Sequence, residues 1–217
     1  SIIFTLKFFE QVRYPIEKNN FYSLLIGKNN RHNSTKVFNH ILEDLIHQKV
    51  IFELNGYLGL GKESLNGMVK ERSVTEAASR AKYRYAKKSV AFLKNFGFIK
   101  FIGVTGSVAV GNAKDTDIIN LIIISKAGFE KICFVVVRLW FGLTFRSKRF
   151  EIVTTIGEGG LAFHPRDLLS AWRVINIKPL INNVGVYEEF IHKNMWIFEY
   201  FGNYPLEKVS LNYRISK

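Results

Sequence analysis

Residue types that can do chemistry crowd into the middle of the chain. The apolar run Phe98-Ile99-Lys100-Phe101-Ile102-Gly103-Val104-Thr105 ends in Gly106-Ser107. Asp115-Thr116-Asp117 then leads into a second apolar run, Ile118-Ile119-Asn120-Leu121-Ile122-Ile123-Ile124. This reads as strand, Gly-Ser turn, short helix or loop, strand. Phe150-Glu151-Ile152-Val153 reads as a further strand. Its acid either faces a site or lies exposed beside the basic run Arg146, Lys148, Arg149. The supply is therefore one of oxygen chemistry, from a hydroxyl at a glycine turn and from carboxylates and an amide near strand starts. Nitrogen and sulfur chemistry is thinly provided. His40 and His47 share one side of a helix with no third ligand nearby, short of what zinc needs. Cys133, the single cysteine, lies inside Ile132-Cys133-Phe134-Val135-Val136-Val137 and reads as a buried structural thiol. No nucleophile-base pair has a recognisable setting. Gly157-Glu158-Gly159-Gly160 lacks the Gly-Lys-Ser/Thr ending of a Walker loop and reads as a hairpin turn.

The central arrangement resembles the polymerase-β-type nucleotidyltransferase superfamily. Its hallmark is a strand ending in Gly-Ser and, after a short spacer, Asp-hydrophobic-Asp opening the next strand. The chain as a whole is similar to a prokaryotic group of nucleotidyltransferase-domain proteins with an N-terminal winged-helix-like region. The matching residues are Tyr14-Pro15, Asn55-Gly56-Tyr57, Val104-Thr105-Gly106-Ser107-Val108-Ala109, Asn112-Ala113-Lys114 and Ser125-Lys126-Ala127-Gly128. Lys178-Pro179-Leu180, Val186-Tyr187-Glu188-Glu189-Phe190 and Asn194-Met195-Trp196 match as well. The resemblance implies transfer of a nucleoside monophosphate from a nucleoside triphosphate to a hydroxyl, with Mg²⁺ or Mn²⁺. Gly106 and Ser107 would hold phosphate through turn amides. Asp117 and Glu151 would be the catalytic carboxylates and, with Asp115, the metal ligands. Asn120 would be a weak ligand, offering a carbonyl oxygen but no charge. The chain departs from the family at this point. Aligned without gaps, the two metal aspartates fall on Ile118 and Asn120. A one-residue shift puts Asp117 first but Ile119 second, and Asp115-Thr116-Asp117 is a displaced pair lacking the hydrophobic middle residue. The resemblance thus leaves two functions open: an active nucleotidyltransferase, or a degenerate relative that binds or scaffolds, in a nucleic-acid or ribonucleoprotein assembly for example.

The elements that must position these residues follow from periodicity. Residues 1–61 predict three helices and a hairpin, the winged-helix pattern. Ile3 to Phe9 forms the first helix, Phe21 to Ile26 the second, ending at Gly27. Ser34-Thr35 caps the third, with apolar positions Val37, Ile41, Leu42, Leu45 and Ile46. Two strands about Asn55-Gly56 close the unit. The third helix offers Asn33, Lys36, Asn39, His40 and Gln48 to a major groove, but its Glu43 and Asp44 oppose phosphate contact, which favours packing or protein contact. Residues 62–95 predict a long basic connecting helix, 96–165 the nucleotidyltransferase-like core, and 166–217 two helices around Pro179 and a basic tail, Lys208 to Lys217. The fold class expected is α/β or α+β with a short mixed sheet.

The net charge of +13 favours polyanions, so nucleotide and nucleic acid are the expected partners. Ile132 to Phe145, the longest apolar stretch, is interrupted by Arg138, is too short for a bilayer, and reads as a buried helix. With no span and no signal peptide visible, a cytoplasmic location is the expectation.

Overall fold

Apolar residues at helical spacing bury Thr5, Leu6 and Phe9 on one face of α1 (Ile2–Gln11). The chain then turns through Arg13 at φ 51° ahead of Tyr14-Pro15. A two-residue strand, β1 (Ile16–Glu17), leads into α2 (Lys18–Phe21), which tightens into a 3-10 turn at Tyr22–Leu24. The second helical segment therefore starts earlier than its apolar residues suggest and ends before Leu25. The computed structural model describes residues 1–27, 35–183 and 185–205. Asn33, Ser34 and the tail from Lys208 lie outside the described residues. α3 (Thr35–His47) buries Phe38 and Leu42. β2 (Phe52–Leu54) and β3 (Tyr57–Gly59) join through Asn55 and Gly56, both at positive φ (52° and 79°), as a tight hairpin turn requires. The three strands form an antiparallel sheet in the order β1-β3-β2.

α4 (Lys62–Val90) is continuous, yet the chain divides inside it. One compact unit is Ser1–Val74 with Trp196–Pro205; the other contains Thr75–Met195. The sequence breaks at 61/62, 95/96 and 165/166 follow changes of element. The division instead follows burial: Leu65 and Met68 are buried at the start of α4, whereas Ala86 and Val90 enter the core of the second unit. The first unit is closed by residues from far along the chain. Gly27 bridges to Phe201, its N–H donating to the Tyr200 carbonyl at 2.8 Å, and Asn203 Nδ2 donates to the Tyr22 carbonyl at 3.2 Å.

The second unit is built on β4 (Ile99–Thr105), β5 (Ile119–Ser125), α5 (Glu130–Leu143), β6 (Phe150–Gly157), α6 (Leu168–Ile175), β7 (Lys178–Asn182) and α7 (Val186–Lys193). α8 (Ile197–Tyr200) belongs to the first unit. The chain is thus mixed α/β. The four-stranded sheet has the order β6-β5-β4-β7, antiparallel except for the parallel pair β5/β6. One sheet face, with Ile102, Val104, Leu121 and Ile123, packs against Val90 and Leu93 and against Cys133, Val137 and Phe141 of α5. On the other, Phe101 stacks on Tyr187 at 5.4 Å, and Gly103 has no room for a side chain: a Cβ there would lie 2.6 Å from Ile177 Cγ2.

Two expectations need correction. The segment around Pro179 is a strand between helices, not a helix junction. β7 is an edge strand, where a residue without an N–H is tolerated, and Pro179 pairs opposite Gly103. α5 is not a buried helix. Only the stripe Cys133, Val137 and Phe141 is buried, while Ile132, Val135, Leu139 and Leu143 are exposed.

Candidate functional site

Strand β4 delivers Gly106 to the start of β5. Gly106 has φ 70°, and a Cβ there would meet the Asn120 amide nitrogen at 3.0 Å. A turn of helical character follows: the amides of Ala109 and Val110 donate to the Gly106 carbonyl at 3.0 and 3.2 Å, and Asn112 N–H to the Ser107 carbonyl at 2.8 Å. Val108, Ala109 and Ala113 are buried in the sheet core and fix this turn. The Ala113 amide donates to Ser79 Oγ of α4 at 2.8 Å. Among the described residues, the amides of Ser107 and Val108 meet no acceptor, which leaves two adjacent donors at the turn's opening.

Across the sheet at this level runs a single register row, Thr105–Asn120–Glu151, on three adjacent strands. Directly opposed residues present their side chains on one face. Thr105 is buried and its Oγ1 donates to the Arg173 carbonyl at 3.3 Å. Asn120 is half-buried, and its Oδ1 is buried without a hydrogen-bond partner among the described residues. Glu151 is exposed. Ile118, two residues before Asn120, is also exposed. The positions that the resemblance assigns to metal thus carry an apolar side chain, a neutral amide and one carboxylate.

The two aspartates lie on the turn that precedes β5. Lys82 Nζ of α4 donates to the backbone carbonyls of Asp115 and Asp117, both at 2.8 Å. The Asp117 carboxylate accepts from Lys114 N–H at 3.1 Å, while its own N–H returns to the Lys114 carbonyl at 3.1 Å. Asp117 is therefore a turn cap, and Asp115 is exposed at the tip of the same turn. Both line an open cleft of about 460 Å³ with Ala78, Lys82, Tyr85, Lys148 and Arg149. Tyr85 organises that rim: it stacks on Phe150 at 5.8 Å, and the guanidinium groups of Arg149 and Arg146 lie over its ring at 5.3 and 5.8 Å. The structure thus joins Gly106, Asn120 and Glu151 at one sheet end and puts Asp115 and Asp117 in a separate loop. Among the described residues no three His, Cys, Asp or Glu side chains gather to hold a metal ion.

Sequence reading missed two parts of this arrangement. Lys82 looked like any cation of a basic helix, and no local signal distinguishes the one that pins a loop. Tyr85 lies within the long basic helix with no local signal of its role, and its arginine partners lie more than fifty residues away in sequence. On α3, Glu43 is held by Lys18 at 2.9 Å, and Lys18 also reaches Glu53 at 2.8 Å. These bonds, Glu53 foremost, push the Lys18 ammonium above its ordinary value. His40 faces Asp44 at 3.7 Å.

No family model, no curated protein and no solved structure matches this chain.

Proposed function

We propose that the Thr75–Met195 unit is a nucleotidyltransferase-type core that binds its ligand without transferring a nucleotidyl group. The single observation that carries this reading is the register row. Where three carboxylates would have to converge, Asn120 and Glu151 stand side by side and Ile118 precedes them. The unpaired Asn120 oxygen is a donor for a cation but brings no charge, and Glu151 alone does not balance a divalent ion carrying a triphosphate. These residues do not fit the two-metal chemistry of the superfamily, and no transfer step is derived through it. The superfamily reading is supported by the mixed sheet and by the glycine turn abutting the start of β5. The turn that Gly106 opens keeps two free amides, those of Ser107 and Val108, which is what a nucleotide's phosphate needs. In the first unit, the order helix–strand–helix–helix–hairpin supports a winged-helix reading.

Calorimetry with nucleoside triphosphates, with and without Mg²⁺ or Mn²⁺, tests this on the wild type and on Asp117→Ala. Expected is binding indifferent to metal and to Asp117. Metal-dependent binding abolished by Asp117→Ala would sink the proposal and reinstate an active transferase using displaced acids.

A further inference from the structure

We propose that the outward face of α5, together with the basic turn that follows it, is a docking surface for an anionic lipid bilayer. Ile132, Val135, Leu139 and Leu143 recur at helical spacing on the side opposite Cys133, Val137 and Phe141, so the helix has a second apolar stripe. Solvent covers that stripe: Leu139 is 60% and Leu143 77% exposed. Phe145, 95% exposed, extends it. Its backbone is left-handed, φ 54°, at a helix end where glycine is the ordinary choice. Arg146 N–H donates back to the Phe141 carbonyl at 2.7 Å and locks that geometry, so a large aromatic is held outward at a strained position. Phe92, itself 48% exposed, stacks on Trp140 at 4.7 Å and widens the patch.

Charge selects the occupant. Lys131 and Arg138 lie on α5 itself and Arg146, Lys148 and Arg149 on the turn that follows it, with Lys148 and Arg149 also lining the cleft beside Asp115 and Asp117; Glu130 and Glu151 are the only acids from Glu130 to Glu151. Arg138 and Arg146 are steadied over Phe134 and Tyr85 at 5.6 and 5.8 Å. An apolar stripe rimmed by cations matches a helix lying in the headgroup plane, with its aliphatic face toward acyl chains and its cations at phosphates. Nucleic acid answers the cations but gains little from Ile, Val and Leu, which offer no stacking face. A second copy would cover the stripe but set like charges against each other on a chain of net charge +13. No helix among the described residues is long and apolar enough to cross a membrane, so the contact is peripheral. It does not rest on the function proposed above: Gly106, Ser107 and Asn120 lie outside α5 and its following turn, and the substitutions below leave out Arg138, which lines a pocket with Glu151.

The test is co-sedimentation of the full chain with phosphatidylcholine vesicles, pure or containing about 30% phosphatidylserine. Binding is expected only to the anionic vesicles, weakening with salt. Leu139→Ser/Leu143→Ser leaves net charge and core unchanged and should lower partitioning about tenfold or more, with the circular dichroism and thermal midpoint retained. Arg146→Gln/Lys148→Gln/Arg149→Gln should lower it comparably at low salt. Phe145→Gly, which relieves the backbone, should bind more weakly while being no less stable. Absence of wild-type binding, or binding unmoved by the serine pair, overturns the proposal. So does a serine pair that spares vesicle binding but abolishes self-association by light scattering or binding to a labelled RNA.

Discussion

Asn194 is wholly buried, and replacing it by alanine should be among the most damaging single changes in the second unit. Its Oδ1 accepts from Phe163 N–H at 2.7 Å, and its Nδ2 donates to the carbonyls of Leu161 at 2.8 Å and Phe190 at 2.7 Å. One side chain thus ties the irregular segment after β6 to the end of α7. A formed hydrogen bond contributes about 1 kcal/mol net, whereas a buried backbone group left without its partner costs about 1–3 kcal/mol. Asn194→Ala strands the Phe163 amide and the Leu161 carbonyl, and the Phe190 carbonyl loses its side-chain donor. Counting the first two fully and the third lightly gives a loss of about 3–5 kcal/mol, less if water enters. Asn194→Asp keeps one acceptor but turns a carboxylate toward two carbonyls. Burial raises such a group's pKa, so the variant should be worst at neutral pH and recover part of its stability as the pH falls and the acid protonates. A chain of two compact units need not unfold in one transition, so urea denaturation should be paired with hydrogen exchange at the Phe163 amide. A loss below about 1 kcal/mol with unchanged Phe163 protection would refute the reasoning, since the bonds would then not carry the cost assigned to them.

Three further outcomes are expected. Gly103→Ala drives a Cβ to 2.6 Å from Ile177 Cγ2 and 2.7 Å from the Phe101 ring, and should cost about 1–3 kcal/mol by thermal unfolding. Asp167 caps α6 by accepting from the Ser170 amide at 2.7 Å, which holds its carboxyl below the usual carboxylate range. Asp167→Ala should cost about 1 kcal/mol at neutral pH. Because the folded pKa is the lowered one, the wild-type advantage is present above the unfolded value and closes as the pH falls through the folded one; acid titration of both proteins checks it. The Cys133 thiol, fully buried and pushed up to about 11, should resist a disulfide reagent at pH 8 in the native state and react once urea unfolds the chain.

What could be read from the residues was what depends on local pattern. The apolar runs of β4, β5 and β6 and the Asn55-Gly56 turn were legible because strand period and turn chemistry are written in neighbouring residues. β1 was not, since two residues carry no period and Ile16–Glu17 are a strand only because β3 lies alongside. β7 was hidden by Pro179, which argues against a strand anywhere but at an edge, and edges are set by the whole sheet. The weakness of the candidate site showed in the types at Ile118 and Asn120, but the register that sets Asn120 beside Glu151 did not. Nor did the use of the Asp117 carboxylate as a cap. The exposed side of α5 was misread because Ile132 to Phe145 is apolar at most positions on both sides of the helix, and composition alone cannot say which side meets the core.

The return of Trp196–Pro205 to Gly27 and Tyr22 bears on how the protein is made. The second unit is an insertion within the first along the chain, so during synthesis Ser1–Val74 emerges early but lacks its closing segment until Thr75–Met195 has been translated. At roughly 5–20 residues per second that is a delay on the order of ten seconds. In that interval Phe201 and the Tyr200 carbonyl cannot pair with the Gly27 end, so the Gly27 amide and the residues around it stay open to water. The second unit has no such wait, because its whole core is contiguous. The unit whose chain emerges first is therefore closed only after the core of the second, Ala86 to Ile181, has been made.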